Sequence, residues 1–113
     1  MHEMSLCESI VEIAEGEARR QGLSTIKLVR IEVGALSHAE PAALAFCFEA
    51  VTRGTMAEGA TLEILRPRGK AWCVDCRGEV EIAARFDPCP NCGGAGLYVT
   101  GGEELRVKDL EAA

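Results

Sequence analysis

Cys73-Val74-Asp75-Cys76 and Cys89-Pro90-Asn91-Cys92 are two CxxC pairs separated by twelve residues, and they decide how the rest of the chain is organised. Two thiolates spaced by two residues reach one metal from a single tight turn. Two such turns complete the tetrahedron that zinc accepts in closed structural sites. The separation is slightly tighter than the usual zinc-ribbon spacing but remains ribbon-like. Pro90, Gly93 and Gly94 bring turn chemistry to the second knuckle. Two readings compete with zinc. Redox-active pairs are one, although a thioredoxin-like CxxC should open a helix after a strand and neither pair here does. Iron is the other, because four thiolates suit both metals. A catalytic zinc would need an open position that four thiolates do not leave. A module of about thirty residues cannot build its own core, so metal binding supplies its folding energy, roughly 10–16 kcal/mol in zinc-finger peptides.

Outside this Cys-, Gly- and Pro-rich stretch the pattern is that of a small α+β domain. Leu6, Ile10, Ile13, Ala14 and Ala18 recur at helical spacing. Ser5-Leu-Cys-Glu8 reads as a capping box. Arg19 and Arg20 suit a last turn, and Gly22 a stop. A first helix is thus expected from Ser5 to Gln21. From Ile26 to Val33, Val29, Ile31 and Val33 alternate with Arg30 and Glu32, as in a strand buried on one face. Ser37-His-Ala-Glu40 is a second capping-box pattern, and Pro41 is tolerated in a first turn. A second helix carries Leu44, Phe48 and Val51 on one face and ends at Gly54. Thr61 to Arg66 reads as a second strand.

Leu105 and Val107 alternate with charged neighbours after Gly101-Gly102, so the segment to Leu110 is a third strand. A strand alone in a tail is not stable. It must rejoin the earlier sheet, which makes the cysteine-rich stretch an insertion. The expected architecture is two helices packed on a three-stranded sheet, residues 1–68 and 102–113, with a zinc-ribbon-like module inserted at 69–101.

The composition suits a soluble globular chain: 48% hydrophobic, 27% charged and a net charge of -6. No apolar run approaches the ~20 residues of a membrane span. The first twenty residues hold acids inside their apolar stretch and lack a charged leader, so they do not read as a signal peptide. Unexported CxxC pairs point to metal or redox chemistry in the cytoplasm. From Arg66 to Cys92 five Lys/Arg face four acids, a difference of +1, and a zinc tetrathiolate carries -2. That charge makes no nucleic-acid footprint. Cys7 and Cys47, the two unpaired cysteines, read as small buried hydrophobes. Trp72, beside Cys73, reads as a packing residue at the junction between modules. No catalytic constellation is visible: there is no paired His with a nucleophile and no Gly-rich phosphate loop.

His2 lies one residue from Met1. An amine, amide nitrogens and an imidazole so placed can share one square-planar ion such as Ni(II) or Cu(II); an idle histidine at a frayed end is the plain alternative. The wider pattern bears on this choice. Met1-His2-Glu3-Met4-Ser5-Leu6-Cys7, Val33-Gly34-Ala35-Leu36-Ser37, Leu44-Ala45-Phe46-Cys47-Phe48 and the paired CxxC together resemble the HypA/HybF family. The resemblance runs over nearly the whole chain, in order. It implies a nickel metallochaperone for maturation of NiFe-hydrogenase, not an enzyme. It implies a nickel site at Met1, His2 and Glu3, with His2 and nearby backbone nitrogens as ligands and Glu40 as the matching position of a further acidic residue. His38 is not marked by it and reads as an exposed loop histidine. The implied partners are a HypB-type GTPase and the hydrogenase large-subunit precursor, with zinc as structural metal and nickel as cargo.

Overall fold

The computed structural model describes residues 3–113. The order is α1 (Glu3–Arg20), β1 (Ile26–Val33), α2 (Pro41–Thr52), β2 (Thr61–Leu65), β3 (Gly69–Cys73), β4 (Gly78–Ile82), β5 (Leu97–Gly101) and β6 (Leu105–Ala112). The described residues form two compact units: residues up to 32 with 38–65 and 106–113, and residues 33–37 with 66–105.

In the first unit, β2, β1 and β6 form one sheet in that order. β1 and β2 are parallel, with Arg30 beside Glu63 and Ile31 beside Ile64. Parallel neighbours need a crossover, and α2 supplies it. β6 runs the other way along β1. Thr25 and Ala113 exchange both backbone hydrogen bonds, Arg30 reaches Asp109 at 2.5 Å, and Glu32 pairs with Arg106. The last strand therefore rejoins the first sheet, as its isolation in sequence requires. It extends to Ala112, two residues beyond the expected end.

One face of β1 is the core. Val29, Ile31 and Val33 have no exposed surface, and full burial of each such side chain stabilises by about 1.5–3 kcal/mol. The other face carries Arg30 between Glu63 and Asp109. α1 contributes Cys7, Ile10, Val11, Ala14 and Ala18 to the buried side. Ile13, expected on that face, is instead 58% exposed; the stripe passes through Val11, and Ile13 falls off its edge. α1 stops as anticipated. Gly22 takes φ +73 and the Leu23 amide returns to the Ala18 carbonyl, a left-handed helix end that glycine adopts without Cβ strain.

Both capping-box readings are corrected. α1 already includes Glu3, so Ser5 lies inside the helix, where its carbonyl accepts from the Ser9 hydroxyl. α2 starts at Pro41, and Glu40, not Ser37, is its N-cap. The Glu40 carboxylate accepts from the Ala42 amide at 3.4 Å. Pro41 decides the boundary: proline disfavours helical φ and ψ at the residue before it, and Glu40 is extended at φ -93, ψ 118.

The second unit holds a sheet absent from the sequence reading, ordered β4-β3-β5 with both pairings antiparallel. Its inner face presents Ala71, Cys73, Val80 and Ile82, which pack with Leu36 and Cys89 against Leu97 and Val99. Trp72 is not a packing residue. It lies on the outer face, 44% exposed, opposite Tyr98 on one side and Glu79 on the other.

Candidate metal centre

The two knuckles are built alike. In the first, the chain turns after β3 and the Arg77 amide donates to the Cys73 carbonyl at 2.9 Å. In the second, the Gly93 amide donates to the Cys89 carbonyl at 2.8 Å. The residue after the second cysteine is left-handed in both, φ +53 at Arg77 and φ +73 at Gly93. This reversal turns both thiols of each CxxC to the same side. Backbone amides then aim at sulfur: Cys76 N lies 3.4 Å from the Cys73 Sγ, and Gly94 N lies 3.4 Å from the Cys92 Sγ.

The four sulfurs, from Cys73, Cys76, Cys89 and Cys92, all lie within 4.8 Å of one another. Cys73 and Cys92 are 3.7 Å apart, and Cys76 and Cys89 are 3.8 Å apart. Disulfide sulfurs would be about 2.05 Å apart, so these are free thiols. A tetrahedron with zinc–sulfur bonds of about 2.3 Å has sulfur–sulfur edges of about 3.8 Å. The donor set therefore fits a four-coordinate thiophilic ion. Hydrogen bonds that the Cys76 thiol donates to the Cys92 and Cys73 sulfurs push it up to about 12, and the backbone amides of Cys92 and Asn91, donating to the Cys89 sulfur, bring that thiol down to about 7. Cys73 and Cys89 are buried while Cys76 and Cys92 are exposed.

The loop between the knuckles is held by a residue the sequence reading did not single out. The Asp87 carboxylate accepts from the Ala83 and Ala84 amides at 3.1 and 3.0 Å. Its signal in sequence is an aspartate ahead of Pro88 in a turn-rich stretch. Arg85 in the same loop pairs with Glu103.

Of the residues expected at the nickel site, Met1 and His2 lie outside the described residues. Glu3 opens α1. Glu40 caps α2. The Cys7 thiol donates to the Leu44 carbonyl at 3.3 Å. Each helix begins within about one turn of this contact, roughly 5.4 Å of axis. Glu3 and Glu40 thus each lie about one helical turn along their own helices from this contact. His38 is exposed in the loop before α2. Cys7 is buried as expected; burial and the neighbouring Cys47 push its thiol up to about 11, which keeps it neutral and unreactive.

Residues 1–112 match the family model described as hydrogenase/urease nickel incorporation, metallochaperone, hypA. The chain belongs to the HypA family. Among similar proteins, the hydrogenase maturation factor HypA of Bradyrhizobium sp. (strain ORS 278) is 59% identical over 111 residues, 98% of each chain. HypA 2 of Bradyrhizobium diazoefficiens is 56% identical over the same share of each chain. The solution structure of the Ni metallochaperone HypA from Helicobacter pylori shares the fold, with a TM-score of 0.69 at 24% identity over 99% of this chain and 97% of that one. A second HypA solution structure superposes with a TM-score of 0.74. HypA proteins are named as metallochaperones, which carry an ion rather than catalyse a reaction. No helix among the described residues is long and apolar enough to cross a membrane.

Proposed function

We propose that this chain is a cytoplasmic nickel metallochaperone for maturation of NiFe-hydrogenase, binding Ni(II) through Met1, His2 and Glu3 and passing it to the hydrogenase large-subunit precursor together with a HypB-type GTPase. Family membership over the whole chain is the observation that carries this reading. The relatives' shared name, hydrogenase maturation factor, favours hydrogenase as the destination over urease. The His2 imidazole and adjacent backbone nitrogens would form the nitrogen-rich set that square-planar nickel prefers. Glu40 would act from the edge of that site.

The thiolate site has a different role. Zinc held by Cys73, Cys76, Cys89 and Cys92 would be structural, because four thiolates close the coordination sphere. Zinc would also hold together the small core around Ala71 and Val80, in a functional module spanning residues 69–101 between the two parts, 1–68 and 102–113, of the nickel-binding domain.

Metal analysis with nickel titration tests both sites together. The purified chain is expected to carry one zinc, lost in Cys73→Ala or Cys92→Ala and kept in Cys7→Ala. His2→Ala is expected to abolish tight nickel binding and leave zinc unchanged. Nickel affinity equal in the parent and His2→Ala proteins would remove the metallochaperone site from the N-terminus. It would leave a zinc-ribbon adaptor as the better reading.

A further inference from the structure

The outer face of the β4-β3-β5 sheet carries the chain's single tryptophan and single tyrosine side by side. Trp72, on the central strand, stands opposite Tyr98 on β5 and Glu79 on β4. Directly opposed side chains in a sheet have Cβ atoms about 4.5–5.5 Å apart, so the three form one row across the sheet. All three are exposed, Tyr98 at 66%. The Glu79 carboxylate accepts from the Thr100 hydroxyl at 3.0 Å. Thr100 is on β5, so this bond reaches over β3 and fixes the carboxylate beside Trp72. Among the described residues no cation pairs with Glu79. Its neighbour Glu81 is paired with Arg68 at 3.1 Å, and the Lys70 side chain runs along Gly101.

We propose that Trp72, Tyr98 and Glu79 form a recognition site for an arginine side chain of a partner protein. A guanidinium is planar and weakly hydrated, so it lies flat on an indole face while its edge donates to a carboxylate. Trp72 and Tyr98 supply the aromatic faces, and Glu79 supplies charge-assisted hydrogen bonds. Thr100 takes only one of the several acceptor positions of that carboxylate. The charge selects the occupant. An apolar side chain would strip water from Glu79 and give nothing in return. A phosphate backbone would meet the same carboxylate on a chain of net charge -6. A lysine ammonium matches the charge but has no flat face to stack and holds its water more tightly. The site is also preorganised, because β3 is hydrogen-bonded on both sides and its backbone has little freedom to lose on binding. One arginine binds weakly alone, so the site acts as an anchor within a larger contact.

Trp72 is the only tryptophan, so its indole fluorescence and its single indole N–H resonance report on this site alone. The test is titration of the zinc-loaded full chain with a short capped glycine peptide bearing one central arginine. A saturable change in both signals is expected, with half-saturation near ~1 mM. The amide shifts that move are expected at residues 70–74, 79 and 97–100. The same peptide with citrulline, which keeps the shape and loses the charge, is expected to bind at least about tenfold more weakly. Glu79→Gln keeps an acceptor for the Thr100 hydroxyl and removes the charge. It is expected to weaken arginine binding at least about fivefold with the circular dichroism spectrum unchanged. Tyr98→Ala is expected to weaken it about threefold. No saturable response to the arginine peptide overturns the proposal. So does equal binding of the citrulline peptide, arginine binding indifferent to Glu79→Gln, or shifts confined to other elements. Tighter binding of a short oligothymidylate at Trp72 also overturns it and assigns the face to single-stranded nucleic acid.

Discussion

The backbone of Gly34 lies directly against that of Gly102, so close that a methyl group on Gly34 would overlap the Gly102 carbonyl. The approach is fixed by hydrogen bonds on both sides. Gly34 N donates to the Glu104 carbonyl at 2.7 Å, and Leu36 N donates to the Gly102 carbonyl at 2.7 Å. Ala35 N adds a bond to the Pro67 carbonyl at 2.9 Å. The obstacle is backbone, which cannot rotate aside as a side chain can.

Gly34→Ala is therefore expected to destabilise the protein by about 2 kcal/mol or more, in the range of overpacking changes. Gly16→Ala is the matched control, because a Cβ there meets nothing and alanine favours the helix by about 1 kcal/mol. Chemical denaturation of the two variants is expected to move the midpoint in opposite directions.

The paired knuckles give a second prediction. Arg77 and Gly93 occupy equivalent places, but Arg77 holds φ +53 with a Cβ. A left-handed residue other than glycine carries a strain of roughly 1–2 kcal/mol, part of which glycine's greater freedom in the unfolded chain offsets. Arg77→Gly is expected to raise the stability of the metal-loaded protein by up to about 1 kcal/mol, read as a higher thermal midpoint. A lower midpoint would mean that the Arg77 side chain stabilises the knuckle by more than its backbone strains it.

Cys7 supplies a pH signature. Its thiol titrates near 9 when unfolded and is raised to about 11 in the folded protein, chiefly by burial. The folded state thus holds the proton more tightly. The stability it contributes is complete below pH 9 and is lost as pH climbs from about 9 towards 11. Cys7→Ala removes this titration and the thiol's bond to the Leu44 carbonyl. The variant is expected to be less stable near neutrality and to have a flatter stability profile between pH 9 and 11. Equal slopes in the two proteins would show that Cys7 ionises as readily when folded as when unfolded.

How much of this was legible in sequence depended on whether one interaction dominated each element. β1 was plain because Val29, Ile31 and Val33 form one apolar face. The return of β6 followed from the instability of a lone strand. The metal cluster followed from spacing alone. The second sheet escaped notice because β3 inverts the usual signal. Its inward residues, Gly69, Ala71 and Cys73, are small, while Trp72 faces out. β4, with Val80 and Ile82 alternating with Glu79 and Glu81, did carry the pattern. The start of α2 was missed because two polar caps competed within four residues, and the conformational demand of Pro41 outweighed the preference for Ser over Glu at an N-cap.

That outcome gives Glu40 two jobs that one set of variants can separate. Its carboxylate caps α2 through the Ala42 amide, and we propose that it also tunes nickel bound near His2. Glu40→Ala removes both functions, so a loss of nickel affinity there is ambiguous. Serine caps a helix at least as well as glutamate but supplies no carboxylate. Glu40→Ser is therefore expected to keep or raise the thermal midpoint, where Glu40→Ala lowers stability by about 0.5–1 kcal/mol. If the carboxylate tunes nickel, both variants weaken nickel binding to a similar degree, and by less than His2→Ala, because Glu40 acts from the edge of the nitrogen set. The nickel affinity should also fall as pH drops, since protons compete for the imidazole and amide nitrogens. Calorimetric titration of nickel into the parent, Glu40→Ala and Glu40→Ser proteins reads this directly. Parent-like affinity in Glu40→Ser with weakened affinity in Glu40→Ala would make Glu40 a helix cap alone, and the nickel site would then rest on the first three residues.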